Sequence, residues 1–520
     1  MGNRSILAQF VRQLFICVAL IAFTSCSGPD GERQQGDRSS VIEGSEANRA
    51  ESGVVGATIS GGGQVSSPNQ VLLDFGVLGG GRGNRAGNLS TVGGGEGNRA
   101  EGIRATIGGG ANNIASRNGA VIAGGSGNSA TQSFASIGGG NVNTADGSYT
   151  TISGGVGNLA SGRISTIGGG TRNQALSAYA TIGGGSFNVA IGGTSTIAGG
   201  VRNQALGIGS AIGGGAGNQA RGLQTAVAGG LGNLVSDNYS SVSGGRANLA
   251  GNGNEDTEDS PYASVGGGFE NQAGGAYSVI PGGFGNLSLG DYSFAAGNRA
   301  QIAQTHQGTF LFADSSDFVF TSSAPDEFAV RSTGGARFVT ALDDKGEPLS
   351  GVRLSPGSGT WETLSDRNAK TGIAPVIERQ VLERLMRVPV MTWRYKGQSE
   401  EVMHMGPMAQ DFYAAFGLGV DENYLGAVDV DGVALAAIQG LYQQLQEKEA
   451  VIVRLQSENA IQGERLNDLE SRLAALEQGR GPVSGSRVGS WLLALAFVLG
   501  LGAGGRVSMP HSDIKDSNVS

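Results

Sequence analysis

The chain has 520 residues, 94 of them Gly, with 6% aromatic and 15% charged residues. That composition excludes a conventional large aromatic core over most of the length, and glycine at this level means disorder unless it recurs at a fixed period. The formal net charge of -9 and the lack of a Lys/Arg cluster exclude a general nucleic-acid binder, because phosphate neutralisation needs basic residues gathered on one face.

At the start, Arg4 and Arg12 accompany an apolar stretch from Leu14 to Phe23, and the small residues Thr24 and Ser25 lead into Cys26. This is the order of an export signal over residues 1–26, and it places the protein in the cell envelope. The run Phe23-Thr24-Ser25-Cys26 resembles a bacterial lipoprotein box, although that family prefers Leu where Phe23 stands. The resemblance implies that Cys26 is lipidated and becomes the first mature residue. An ordinary cleaved signal or an uncleaved anchor, with Cys26 incidental, is the alternative. Cys17, the other cysteine, lies in the apolar stretch, so cleavage leaves no intramolecular disulfide in the mature protein.

Residues 27–77 read as a linker with degenerate repeats, whose traces begin near Ile42. Over residues 78–304 an apolar residue followed by Gly-Gly, directly or after one small residue, recurs from Leu78 to Ile280, and from Val92 to Val242 the spacing is always 15 residues. Six residues after each anchor stands an asparagine, as at Asn98, Asn113 and Asn128, usually followed two residues on by an alanine. A run such as Ala105-Thr106-Ile107 has strand character, and Gly108-Gly109-Gly110 supplies a corner. The chain therefore turns once per repeat, and stacked coils put the asparagines in one column where amides can bond from coil to coil. A coil this thin encloses too little core to stand alone, which predicts burial of one face against other copies. These repeats resemble the head domain of trimeric autotransporter adhesins, which implies a left-handed parallel β-roll within a homotrimer. Between Asn252 and Ser260 an acidic insertion lengthens one repeat by eight residues. Its alternating oxygen ligands raise a calcium reading, but no ligand frame supports it, and a solvated surface loop is the expectation.

After residue 305 glycine thins and aromatics appear, and Gly308-Thr309-Phe310-Leu311-Phe312 and Asp317-Phe318-Val319-Phe320 read as strands, so residues 305–360 form a β connecting segment. Next come Leu364-Ser365-Asp366-Arg367-Asn368-Ala369-Lys370, a helix-like stretch from Ile377 to Arg387, Met391-Thr392-Trp393-Arg394-Tyr395, and His404-Met405-Gly406-Pro407-Met408-Ala409-Gln410-Asp411-Phe412. This order resembles the intramolecular chaperone domain of endosialidases and tailspikes, peptidase family S74, also present in the myelin regulatory factor; the domain here spans 361–434. The resemblance implies a single-turnover cut between Leu364 and Ser365 by a Ser/Lys dyad that maps onto Ser365 and Lys370. His404 matches a histidine that assists cleavage in some members, with a partly buried structural histidine as the alternative. Without the surrounding module, Ser365 would read as a helix-capping serine and Lys370 as solvated.

Over 435–478 a heptad runs with Ile438, Leu445, Ile452, Asn459, Leu466 and Leu473 at one seam position and Leu441, Lys448, Leu455, Gln462, Leu469 and Leu476 at the other. This predicts a coiled coil, and three strands suit both the roll and the chaperone. A polar linker, 479–487, leads to an apolar stretch, 488–505, close to the roughly 20 residues of a membrane span, with a buried helix as the alternative, and then to a tail, 506–520. The expected architecture is mainly β: a left-handed parallel β-roll of 15-residue repeats, then a small α+β chaperone domain, a trimeric coiled coil and a C-terminal transmembrane helix. No motif calls for a metal or cofactor. The leading function is a surface-exposed, membrane-anchored trimeric fibre or adhesin-like protein matured by autoproteolysis, with a glycan or cell-surface molecule as candidate ligand. The alternatives are a membrane-bound regulator that releases its N-terminal fragment, and a tailspike-like glycan-active protein, for which the repeats hold too few carboxylates.

Overall fold

A computed structural model describes residues 40–479. The export signal with Cys26, and the apolar stretch 488–505 with its tail, lie outside the described residues. Among the described residues no helix is long and apolar enough to cross a membrane. The described residues divide into two units: one runs to Arg337 and includes Arg353–Trp361, and the other comprises Phe338–Val352 and everything from Glu362 onward.

The first unit is a parallel β-solenoid in which each repeat makes one coil. In the coil anchored on Ile152, the strand Thr151–Ile152 pairs in parallel with Ser136–Ile137 before it and Thr166–Ile167 after it. A second strand, Leu159–Ala160, pairs likewise with Thr144–Ala145 and Gln174–Ala175. Successive strand residues face opposite sides, so Ile152 and Ala160 are fully buried while Thr151 faces out. Stacking therefore builds a core from one column of Ile, Val and Leu and one of Ala, with Ala, Ser or Thr closing the third side, as at Ala180, Ser165 and Thr150.

Asparagine and glycine make the corner between the two strands. Asn158 is buried, yet its amide nitrogen donates to the Gly154 carbonyl of its own coil and to that of Gly170 in the next, both at 3.0 Å. Its Oδ1 accepts from the backbone N–H of Asn173, the same position one coil on, at 2.9 Å. One side chain thus satisfies three backbone groups that would otherwise be buried without partners. The chain reaches this geometry because Gly155 adopts φ +93°, and a Cβ there would run into the carbonyl oxygen of Gly170. A second left-handed corner follows at Tyr149, Ile164 and Tyr179, with φ 62°, 60° and 62°. There each backbone N–H bonds one coil back, as from Ile164 to Ser148 at 3.0 Å. A β-branched residue such as Ile164 is costly in this region and persists because the ladders on both sides over-determine it. At this corner Tyr239, Tyr262, Tyr277 and Tyr292 stack in sequence with ring centroids 4.9, 4.9 and 5.1 Å apart.

The solenoid is longer than the 78–304 array at both ends. Val41–Glu43 already pairs with Thr58–Ser60, and Phe328–Arg331 still pairs with Phe310–Ala313, giving roughly 19 turns. The outer coils escape a periodicity search because their spacing departs from 15 residues, as between the paired Ile42, Ile59 and Leu78. At the last coil Arg331 bonds the Asp314 carboxylate at 3.0 Å and the Ser316 carbonyl at 2.9 Å. The hydroxyl and amide of Thr333 hold the Asp314 carboxyl well below the usual carboxylate range. The acidic insertion loops out without breaking the column: the Asn271 N–H reaches Asn248 Oδ1 at 3.1 Å across a separation of 23 residues, where the preceding pair, Asn248 and Asn233, is 15 apart.

In the second unit the helix Glu378–Leu385 packs on a long helix, Ala427–Gln478. Val433, Ala436, Ala437 and Gly440 form the buried face of the long helix, and a Cβ on Gly440 would lie 2.6 Å from the Glu378 carbonyl oxygen, so glycine permits the close approach. The remaining elements are the antiparallel hairpin Met391–Trp393 with His404–Gly406, and the helix Ala409–Phe416, which buries Phe412 and ends at Gly417 in a left-handed cap at φ 64°. The long helix begins before the expected coiled coil, at Ala427, and carries its seam exposed: Leu441 is 57% exposed, Ile452 52% and Leu469 57%.

The corner geometry separates two neighbouring glycines. A Cβ on Gly154 meets open space, whereas one on Gly155 meets backbone. We expect Gly155→Ala to cost more than about 2 kcal/mol, and Gly154→Ala to stay within about 0.5 kcal/mol of the parent, in thermal unfolding of the two proteins.

Candidate functional site

The residues around the expected cut are organised locally. Leu364 is tied into an extended segment, its backbone N–H donating to the Gly351 carbonyl at 3.0 Å. Asp366 then caps the 3-10 helix Arg367–Ala369, its Oδ1 accepting from the Asn368 N–H at 2.8 Å, and Lys370 closes the turn with its own N–H on the Arg367 carbonyl at 3.2 Å. This single turn folds the chain back between Ser365 and Lys370. As a result Lys370 Nζ donates to Ser365 Oγ at 2.6 Å. A short loop with one cap is enough to bring a nucleophile and an amine into hydrogen-bond contact.

Both side chains are exposed in the single chain. An amine works as a base only when neutral, and burial or nearby positive charge is the usual route to that state. The arrangement can therefore exchange a proton between Ser365 and Lys370 once the pair is shielded from water.

His404 stands elsewhere. It pairs across the hairpin with Trp393, its Nε2 is hydrogen bonded to Gln398 Oε1 at 2.9 Å, and its ring lies 4.8 Å from that of Trp393 and 5.8 Å from that of Tyr395. Among the described residues no hydrogen bond links it to Ser365 or Lys370. Gln398 was not singled out from the sequence, because nothing in a polar loop marks which side chain will turn back onto the hairpin. The Ala409-Gln410-Asp411 element opens the helix Ala409–Phe416, where Asp411 lines a cleft of about 380 Å³ with Arg384 and Arg387. No group of three or more His, Cys, Asp or Glu side chains is placed to hold a metal among the described residues.

Residues 365–420 match the peptidase S74 family, described as chaperone of endosialidase. The match begins at Ser365 itself and takes in the 3-10 turn, the helix Glu378–Leu385, the hairpin and the helix Ala409–Phe416. The segment is thus an S74 chaperone domain set after a parallel β-solenoid, a combination that fits a tail-fibre or endosialidase-like protein. The comparison with curated proteins gave no match.

The cap makes a local test of the chaperone domain's first turn. Asp366→Ala removes the acceptor for the Asn368 N–H, which should weaken the turn by about 1 kcal/mol and speed exchange of that amide by about fivefold. Asp366→Asn keeps an acceptor at the same place and should leave the exchange rate near the parent's.

Proposed function

We propose that this chain is a surface-displayed trimeric fibre, adhesin-like in role, whose C-terminal chaperone domain assists assembly of the three chains and then cuts itself off between Leu364 and Ser365. The observation that carries the reading is the contact of Lys370 Nζ with Ser365 Oγ at 2.6 Å inside the family-matched segment.

In the reaction, neutral Lys370 takes the hydroxyl proton of Ser365, and the Oγ attacks the Leu364 carbonyl carbon. The C–N bond between Leu364 and Ser365 breaks, Lys370 returns the proton to the departing Ser365 nitrogen, and an ester joins the Leu364 acyl group to Oγ. Water then hydrolyses the ester, leaving a Leu364 carboxylate and a free Ser365 hydroxyl. The exposure of the dyad in one chain fits a cut that waits for assembly, since neighbouring chains would supply the burial that a neutral amine needs.

Trimer formation is supported by two exposed features. The seam of the long helix leaves Leu441, Leu445, Ile452, Leu455, Leu466 and Leu469 in water, which a three-stranded coiled coil would bury. The solenoid core is one thin column, the condition under which a left-handed roll of the adhesin-head type buries a face against its copies. Joining three chains at the helix would raise their local concentration while slow, non-local stacking proceeds. The export signal, Cys26 and the stretch 488–505 fit anchorage at both ends in the cell envelope, with cleavage freeing the lipid-bearing roll from the C-terminal span.

Intact-mass analysis of the expressed chain should show a fragment ending at Leu364 and another beginning at Ser365. Ser365→Ala and Lys370→Ala should stay uncut while still sedimenting as three chains; a Ser365→Ala protein cut as efficiently as the parent refutes the dyad. Sedimentation of the released roll should likewise give a trimer, and a stable folded monomer of residues 27–364 made without the chaperone domain would refute assisted assembly. Membrane fractionation then tests anchorage, which predicts that only the cut roll leaves the membrane holding residues 365–520.

A further inference from the structure

One carboxylate inside the solenoid is only half used by the coils that contain it. In the column ten residues past each anchor, the neighbouring coils place Gly192, Gly207 and Gly222, and then the chain places Asp237. Asp237 is fully buried, and its Oδ2 accepts from Ser236 Oγ at 2.6 Å and from the Asn252 N–H at 2.9 Å. Its Oδ1 is buried without a hydrogen-bond partner. Leaving half a carboxylate unpaired in a buried position costs far more than any stability it lends, so something besides the coil has to account for it.

The coil that follows carries the acidic insertion, and the insertion folds back onto this carboxylate. Asn252 and Gly253 bond Asp237 and Ser236 through their backbone N–H groups, the latter at 3.0 Å. Gly251 has φ +104°, and a Cβ there would overlap Asp237 Oδ2 and Ser236 Oγ. Asn252 joins Asp259 to Asp237: its backbone N–H bonds Asp237 Oδ2 at 2.9 Å, while its side-chain amide and that of Asn254 both hold Asp259 Oδ2 at 2.8 Å. Two carboxylates are therefore brought together in a segment that also carries Glu255, Asp256 and Glu258 and has no Lys or Arg from Asn252 to Ser260. Like charges gathered on one residue, Asn252, call for a counter-charge or a shared proton.

We propose that Asp237 and Asp259 are the carboxylate ligands of a calcium ion that pins the acidic insertion to the solenoid. The donor atoms are oxygens only, which selects a hard cation, and an irregular loop suits the variable coordination of calcium better than the strict octahedron of magnesium. Among the described residues no third acidic side chain joins the pair. Amide and backbone carbonyl oxygens of the insertion and water complete the shell, and two carboxylates place the affinity at the weak, extracellular end of the range. The ion takes up the free lone pairs of Asp237 Oδ1 and cancels the repulsion with Asp259, so the loop is ordered only when it is bound. The inference does not depend on cleavage at Ser365.

The test is calorimetric titration of the chelator-treated full chain with calcium chloride, with limited proteolysis of the insertion alongside. Expected are one calcium per chain, a dissociation constant on the order of 10⁻⁴–10⁻³ M, and calcium-dependent protection of the loop. Asp259→Asn, on the exposed side of the pair, should weaken binding by at least about tenfold, because affinity follows ligand charge. Glu255→Gln should leave it unchanged. Asp237→Asn should abolish binding, and thermal unfolding of that variant separates loss of the site from loss of the fold. The proposal is overturned by absence of calcium binding, by equal binding of magnesium, by parent-like affinity in Asp259→Asn, or by an equal loss in Glu255→Gln, which would mean diffuse counter-ion attraction.

Discussion

The hydrogen bonds of the asparagine column are the constraint on which the solenoid rests. A coil with a core of one Ile and one or two small residues cannot bury polar backbone at its corner unless every group there finds a partner, and there is no room for a second layer of side chains to provide one. Asn158 meets that need with three bonds, reaching its own coil and the next through its amide and accepting from Asn173. Repetition then follows from geometry. Each asparagine must sit one coil below another, and each corner must present a glycine whose missing Cβ leaves space for the carbonyl of the coil above, as Gly155 does for Gly170. Substituting one member of the set disturbs two coils, which is why the pattern tolerates little drift from Val92 to Val242.

The same constraint explains where variation is allowed. The outward residue of each strand and the second corner have no duty to the core, and there the repeats differ: Thr151 in one coil and Ala211 in another, Ile164 at one corner and Tyr179 at the next. Tyrosines exploit that freedom by stacking along the axis. An eight-residue insertion is accepted at Asn252 because the column closes around it, Asn271 bonding Asn248 as if the extra residues were absent. A solenoid built this way is continuous in one direction and thin in the other two. Its companion unit has the complementary problem, a long helix with its apolar seam in water. On the proposed reading, more copies of the chain would relieve both shortages.

Much of this was legible in the residues alone. The period, the turn per coil and the asparagine column follow from the spacing of Val92, Asn98 and Ala100 and their repeats, because a side chain's face in a short strand depends only on its position along the chain. Ser365 and Lys370 were singled out only through the family resemblance; the turn capped by Asp366 that brings the two groups to 2.6 Å was not read from the residues. The heptad marked the long helix because its seam repeats in the sequence whether or not a partner is present.

Other features depended on contacts between residues far apart along the chain, and no local pattern encodes those. The coils from Val41 and those up to Arg331 have irregular spacing, and only strand pairing assigns them to the solenoid. His404 shares a sequence element with the chaperone family, but the hairpin register turns it toward Trp393 and Gln398. Nothing in the repeat marks Asp237, and the acidic insertion reads as a solvated loop, because its contact with that carboxylate joins Asn252 to the previous coil, 15 residues earlier. The sequence by itself determined what is periodic: the coil, its corner and the heptad seam. Tertiary structure alone decided what is buried against what, since burial is a property of chain segments brought together from a distance.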